Sequence, residues 1–161
     1  MKTNKSVGEI SWKNTLNIVL SVLTLIYTAP VSHAAVPAAS QMTVTSGTAT
    51  ASSNSGNTVL TVSTGGVNTV LTWSSFSDTL TGAAGVMSST DSVVWTQPTT
   101  SSAVLNYITS GLPTQLTGNY SSNGKLFFLN PSGVLINGAT ITAQSFYVST
   151  IAENTSYFSA F

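Results

Sequence analysis

From Lys125 to Thr150 the chain sets down "KLFFL", "GVLI", "ATITA" and "SFYVST", runs of four to six residues with only a few residues between them. This spacing constrains the fold more than any other feature. Strands of a sandwich tend to recur about 8 to 12 residues apart. Very short strands packed closer than that suit a solenoid, in which each coil contributes brief strands stacked on those of its neighbours. Asn130-Pro131-Ser132-Gly133 separates the first two runs. Pro presets φ, Asn tolerates left-handed geometry and Gly adopts it freely, so the four residues form a turn. Spacing alone leaves open whether that turn is a hairpin tip or a corner between strands of one coil.

Upstream, "NTVLTVS" from Asn57, "VNTVLTW" from Val67 and "SVVWTQ" from Ser92 also read as short strands, divided by Gly, Asn and Ser clusters. Val67, Thr69, Leu71 and Trp73 alternate, which lines them along one face. About a third of the residues after position 34 are Ser or Thr. Helix-forming Glu, Lys and Arg are nearly absent and β-branched residues abound. A flexible Ser/Thr-rich stalk has a similar composition. Trp73, Phe76, Trp95, Phe127, Phe128, Phe146 and Tyr147 argue instead for a packed core, for which they are the expected anchors. Ser101 to Leu112 is expected to form a short helix or irregular turn that Pro113 ends. Residues 35–56 are small and polar, and are expected to be partly flexible or to cap the first coil, because an uncapped solenoid end is an exposed strand edge.

Charged residues make up 5% of the chain, about a fifth of the usual share. Three of the four lysines (Lys2, Lys5 and Lys13) precede the apolar run Asn17 to Ala29, which is shorter than the roughly 20 residues needed to span a bilayer. Ser32-His33-Ala34 then supplies small residues where a signal peptidase reads. The three features predict a secretory signal peptide over residues 1–34, cut between Ala34 and Ala35. The remaining chain divides into a cap and first coils (35–68) and a β-rich domain (69–161). It carries Lys125 as its base and Asp78, Asp91 and Glu153 as its acids, a net charge of −2. That balance gives no electrostatic footprint for nucleic acid. With no cysteine in the chain, no disulfide framework holds an exported fold together.

The same scarcity argues against catalysis. General acid–base chemistry needs a positioned group that titrates near the working pH, and Asp78 and Asp91 both lie in loop-like contexts where Asp bonds its own backbone. After residue 34 there is neither His nor Cys for zinc, and the carboxylates are too dispersed for a calcium cage. "TGGV" at Thr64 to Val67 lacks the lysine and helix of a phosphate loop. No enzyme activity, metal or cofactor is expected.

Four pieces succeed one another along the chain: "TVLTWSSF" (Thr69 to Phe76), "VVWTQPTTSSAVLNYI" (Val93 to Ile108), "GLPTQLTGNYSSNGKLFFLNPSGVLI" (Gly111 to Ile136) and "ATITAQSFYVST" (Ala139 to Thr150). In this order the chain resembles the filamentous-haemagglutinin-type secretion domain at the N-terminus of two-partner-secretion exoproteins of Gram-negative bacteria. The resemblance implies an all-β, right-handed parallel β-helix. It also implies export by the general secretory machinery into the periplasm, then recognition by the periplasmic POTRA domains of a dedicated outer-membrane transporter. Passage through that barrel delivers the chain to the cell surface or the extracellular medium, where the β-helix folds. Gln97-Pro98 and Asn130-Pro131-Ser132-Gly133 fall on the family's two signature turns, and Asn106 on its Leu-Asn step. Each is expected to shape a turn, to be read by the transporter, or both. Lys125 is expected either to guide docking or to be a solvated loop residue.

The chain departs from the family pattern at Ser132, where Asn is usual, and at Gln144 to Val148, where Gly-Gly-Leu is usual. It also stops at Phe161, whereas family proteins continue into long repeat arrays. A different class of function, a small surface adhesin that binds a host or neighbouring-cell ligand through a Ser/Thr-rich face, fits the same composition.

Overall fold

A computed structural model describes residues 36–76 and 87–151. The expected signal peptide and its cut between Ala34 and Ala35, together with Asp78 and Glu153, lie outside the described residues. The chain divides into two units, Met1–Ser32 and His33–Phe161, and all the described residues belong to the second.

After a 3-10 turn at Ala39–Gln41 come β1 (Met42–Ser46), β2 (Ala49–Ser53), β3 (Val59–Thr64), β4 (Asn68–Trp73), β5 (Ser92–Thr96) and β6 (Ala103–Ile108). They are followed by β7 (Thr114–Leu116), β8 (Asn119–Ser122), β9 (Lys125–Leu129), β10 (Val134–Ile136), β11 (Thr140–Thr142) and β12 (Ser145–Ser149). One sheet runs β1-β4-β6-β9-β12, a second β11-β8-β5-β3-β2, and a third pairs β10 with β7. From β3 onward every sheet pairing is parallel, and consecutive strands belong to different sheets. The chain therefore winds from sheet to sheet and returns one level further on, a β-helix-like arrangement.

The coil length shortens along the chain. Val59 pairs with Ser92, Ser92 with Asn119 and Asn119 with Thr140, steps of 33, 27 and 21 residues. In the companion sheet Asn68 pairs with Ala103, Ala103 with Lys125 and Lys125 with Ser145, steps of 35, 22 and 20. Closely spaced runs after Lys125 thus belong to the tightest coils.

The expected parallel β-helix with an N-terminal cap is found only in part, because β1 runs antiparallel to β4 and β2 antiparallel to β3. A parallel return needs a crossover of a dozen or more residues, and only residues 54–58 link β2 to β3. Those residues close a tight reversal instead. Asn54 donates its backbone N–H to Val59 O, its Oδ1 accepts the N–H groups of Thr58 and Val59, and Asn57 takes φ of 50°. The sheets are consequently mixed.

Ser101 to Leu112 is also corrected: it holds β6, a strand with all but Tyr107 buried. Burial on both faces explains the absence of alternation that disguised it. Its inward side chains Val104, Asn106 and Ile108 enter the core, while Leu105 joins Val70 and Leu129 in a smaller apolar cluster on the opposite face.

Between the sheets the core is aromatic. Phe76 packs against Trp73 (centroids 5.0 Å apart, edge-on) and Phe128 (5.2 Å, edge-on), and Trp95 lies parallel to Tyr120 at 6.3 Å. All five rings are 1% exposed or less. Burying each stabilises the fold by roughly 1.5–3 kcal/mol, and edge-to-face pairs add to that. Two expected anchors face the other way. Phe127 and Tyr147 stack on the outer face of β9 and β12, with Tyr147 51% exposed. Successive strand residues point to opposite faces, so Phe127 and Phe128 cannot both enter the core. Thr69, Leu71 and Trp73 do share the inward face, while Val67 precedes β4 and is exposed.

Candidate functional site

The sequence motifs meet at the corners between strands. Gln97 follows β5 and is 3% exposed; its Nε2 donates to Ser122 Oγ (2.7 Å) and to the Lys125 carbonyl (3.0 Å), one coil further on. The two backbones are clamped by a reciprocal pair: Gln97 N–H donates to Asn123 Oδ1 and Asn123 Nδ2 donates to Gln97 O, both at 2.7 Å. Pro98 next to it is exposed. Gln-Pro and the Asn-Gly-Lys step of the next coil are therefore one stacked corner, although Gln97 and Asn123 stand 26 residues apart.

Gly124 is what lets that corner close. A Cβ there would lie 2.6 Å from Ser102 O and 2.7 Å from Gln97 Cδ, inside van der Waals contact. Gly118 has the same role one corner earlier: its φ is +75°, and a Cβ would meet Ser88 O at 2.6 Å and Asp91 O at 2.8 Å. Asp91 is itself a turn residue, as its context predicts, its Oδ2 accepting the Ser88 N–H at 2.8 Å. The weight that Gly118, Asn123 and Gly124 carry is not visible in composition or periodicity. It depends on which coil lies underneath.

Asn106 is inward-facing and fully buried. Its Oδ1 accepts the Trp73 indole N–H at 3.0 Å and its Nδ2 donates to Phe127 O at 3.2 Å, so one amide ties together β4, β6 and β9.

Asn130 to Gly133 is a corner, not a hairpin tip, because β9 before it and β10 after it lie in different sheets. Asn130 is fully buried; its Nδ2 donates to Leu112 O (2.9 Å) and Thr114 Oγ1 (2.8 Å), and its Oδ1 accepts the Ser132 N–H (2.9 Å). Gly133 N–H donates back to Asn130 O at 3.0 Å and Thr114 N–H to Gly133 O at 3.0 Å. Pro131 and Ser132 form the exposed tip, and Gly133, at φ of +120°, completes the reversal. In the folded domain the three amide side chains at the signature positions are thus inaccessible, and the accessible atoms at those turns belong to Pro98, Pro131, Ser132 and the half-buried Gly133.

Lys125 opens β9 on the outer face and is exposed. Burial pushes the Tyr120 phenol above its ordinary value, and its hydroxyl donates to Met87 Sδ at 3.3 Å. Among the described residues no cluster of three or more His, Cys, Asp or Glu side chains is present.

No protein-family model and no curated protein sequence matches the chain. Among solved structures, the fold is similar to the HMW1 secretion domain from Haemophilus influenzae, with a TM-score of 0.61 and 26% identity. That likeness covers 74% of this chain and 29% of that one, so this chain spans under a third of the length of the protein it resembles. What the fold is similar to, over 74% of this chain, is a secretion domain.

Proposed function

We propose that the chain is a non-enzymatic secretion domain that targets an exoprotein to an outer-membrane transporter with periplasmic POTRA domains. On this reading the general secretory machinery delivers it to the periplasm, the transporter reads its turn motifs, and it folds outside the cell as a right-handed parallel β-helix. β1 and β2 act as the cap of its first coil. The likeness to the HMW1 secretion domain is the observation that carries this reading.

The physics of the fold supports it. Every coil returns to its neighbour within 20 to 35 residues, so each can close as soon as that length has emerged, without waiting for distant segments. No cysteine can lock a premature fold. The Gln97 side chain pairs with the following coil, that of Asn106 with the coils on both sides, and that of Asn130 with the preceding coil and its own turn. All three are thus covered by coil stacking, and a transporter that reads these side chains does so before folding. Stacking then removes them from reach, which disfavours return.

Export with and without a co-expressed cognate barrel tests the reading: the protein should reach the medium only with the barrel, and barrel-independent secretion would sink the proposal. Asn130→Ala should block export while leaving the periplasmic pool intact. Pro131→Ala, at an exposed position that makes no side-chain hydrogen bond, separates recognition from folding. We expect lost export at unchanged stability, and normal export of this variant would make the turn purely structural.

A further inference from the structure

The outer face of the sheet formed by β4, β6, β9 and β12 carries a feature that the secretion reading leaves unused. Strand register places Asn68, Ala103, Lys125 and Ser145 in one row across it, and Val70, Leu105, Phe127 and Tyr147 in the next. Ala103 is the shortest side chain of the first row. The gap above it opens a hollow of about 470 Å³, lined further by Asn68, Ser101, Lys125, Phe127 and Tyr147. That volume lies within the roughly 300–1,000 Å³ of small-molecule sites.

The chemistry of the lining is selective. Phe127 and Tyr147 stack with centroids 4.6 Å apart and planes at 12°, giving a rigid aromatic shelf whose outer member is 51% exposed. The electron-rich face of an aromatic ring attracts polarised C–H groups, such as those on the flat face of a pyranose. Asn68 and Ser101 add polar character to the lining. Lys125, the one cation among the described residues, stands beside the shelf. Its base is held firmly, since its N–H donates to Ser102 O (2.8 Å) and its carbonyl accepts from Gln97 Nε2 (3.0 Å). A purely apolar ligand would cover the Lys125 ammonium without pairing it, at a cost in desolvation. Nucleic acid and anionic membrane surfaces need several cations rather than one.

We propose that this hollow binds a single carboxylated sugar residue of an acidic saccharide, with the pyranose face against the open side of the stacked Phe127–Tyr147 pair and the carboxylate on Lys125. The site is independent of the transporter, so either reading can fail without the other.

The test titrates the secreted protein with methyl glucuronide and, in parallel, with methyl glucoside, following backbone amide shifts of β9 and β12 by NMR. The glucuronide should bind about tenfold more tightly, the worth of one charge-assisted hydrogen bond, and raised salt should narrow the gap. Lys125→Gln should erase the preference while leaving glucoside binding as it was. Tyr147→Ala should weaken both sugars, and Ala103→Leu, which fills the floor, should abolish both. Unfolding curves of each variant confirm that it is folded. Equal affinities, no binding of the glucuronide, or an undiminished preference in Lys125→Gln would each overturn the proposal.

Discussion

Replacing Asn130 by alanine tests whether the corner after β9 is held by its side chain or by its backbone. The amide makes three hydrogen bonds within 2.8–2.9 Å, to Leu112 O, Thr114 Oγ1 and Ser132 N, from a site with 0% exposure. Each such bond contributes about 1 kcal/mol net, and a partner left buried and unpaired costs about 1–3 kcal/mol. The Thr114 hydroxyl can rotate toward another acceptor and Ser132 lies at the exposed tip, so the largest single penalty falls on the Leu112 carbonyl. The sum is about 3 kcal/mol, a large part of the roughly 5–15 kcal/mol that stabilises a domain of this size. Urea unfolding followed by tryptophan fluorescence is the direct assay, because Trp73 and Trp95 both sit in the core. Asn130→Ala should lower the midpoint at unchanged m-value. Asn130→Asp keeps the acceptor for Ser132 but sets a carboxylate against the Leu112 carbonyl, and should be destabilised at least as much at pH 7. A loss below about 1 kcal/mol for the alanine variant would refute the reasoning and leave the corner to the backbone bonds between Asn130 and Gly133.

The remaining predictions concern backbone, core and pH. Gly118→Ala and Gly138→Ala share left-handed φ values of 75° and 74°, but only Gly118 faces backbone oxygens within 3 Å. Gly138→Ala should cost about 1–2 kcal/mol for the strain alone, and Gly118→Ala clearly more; equal losses in urea unfolding would show that close approach is irrelevant. A double-mutant cycle of Asn106→Ala with Trp73→Phe should return a coupling of about 1 kcal/mol for the bond between them, and additive losses would mean that the bond contributes nothing. Burial raises the Tyr120 phenol above its ordinary 10.0, so above that pH the unfolded chain binds fewer protons than the folded one. Stability should hold below about pH 10 and then fall by up to about 1.4 kcal/mol per pH unit. Urea midpoints across that range check the fall, which Tyr120→Phe should flatten.

The sequence by itself determined the element type and the punctuation. Short β-branched runs between Asn, Pro and Gly leave few ways to satisfy the backbone other than strands turning at frequent corners. Asp91 and Asn130 were legible as turn residues for the same local reason. The tertiary structure decided what lies against what. Coil lengths run from 35 residues down to 20, so no fixed period announces that Gln97 will clamp Asn123 or that Gly124 must admit Gln97. β6 escaped because alternation marks a strand only when one face is wet, and this strand is covered on both. Parity along β9 and β12 likewise sent Phe128 inward and Phe127 and Tyr147 outward, a choice made by the register of the stack. The antiparallel β1 and β2 follow from a reversal too short for a crossover. Local chemistry can be read residue by residue, whereas stacking is a relation between segments that the chain brings together only on folding.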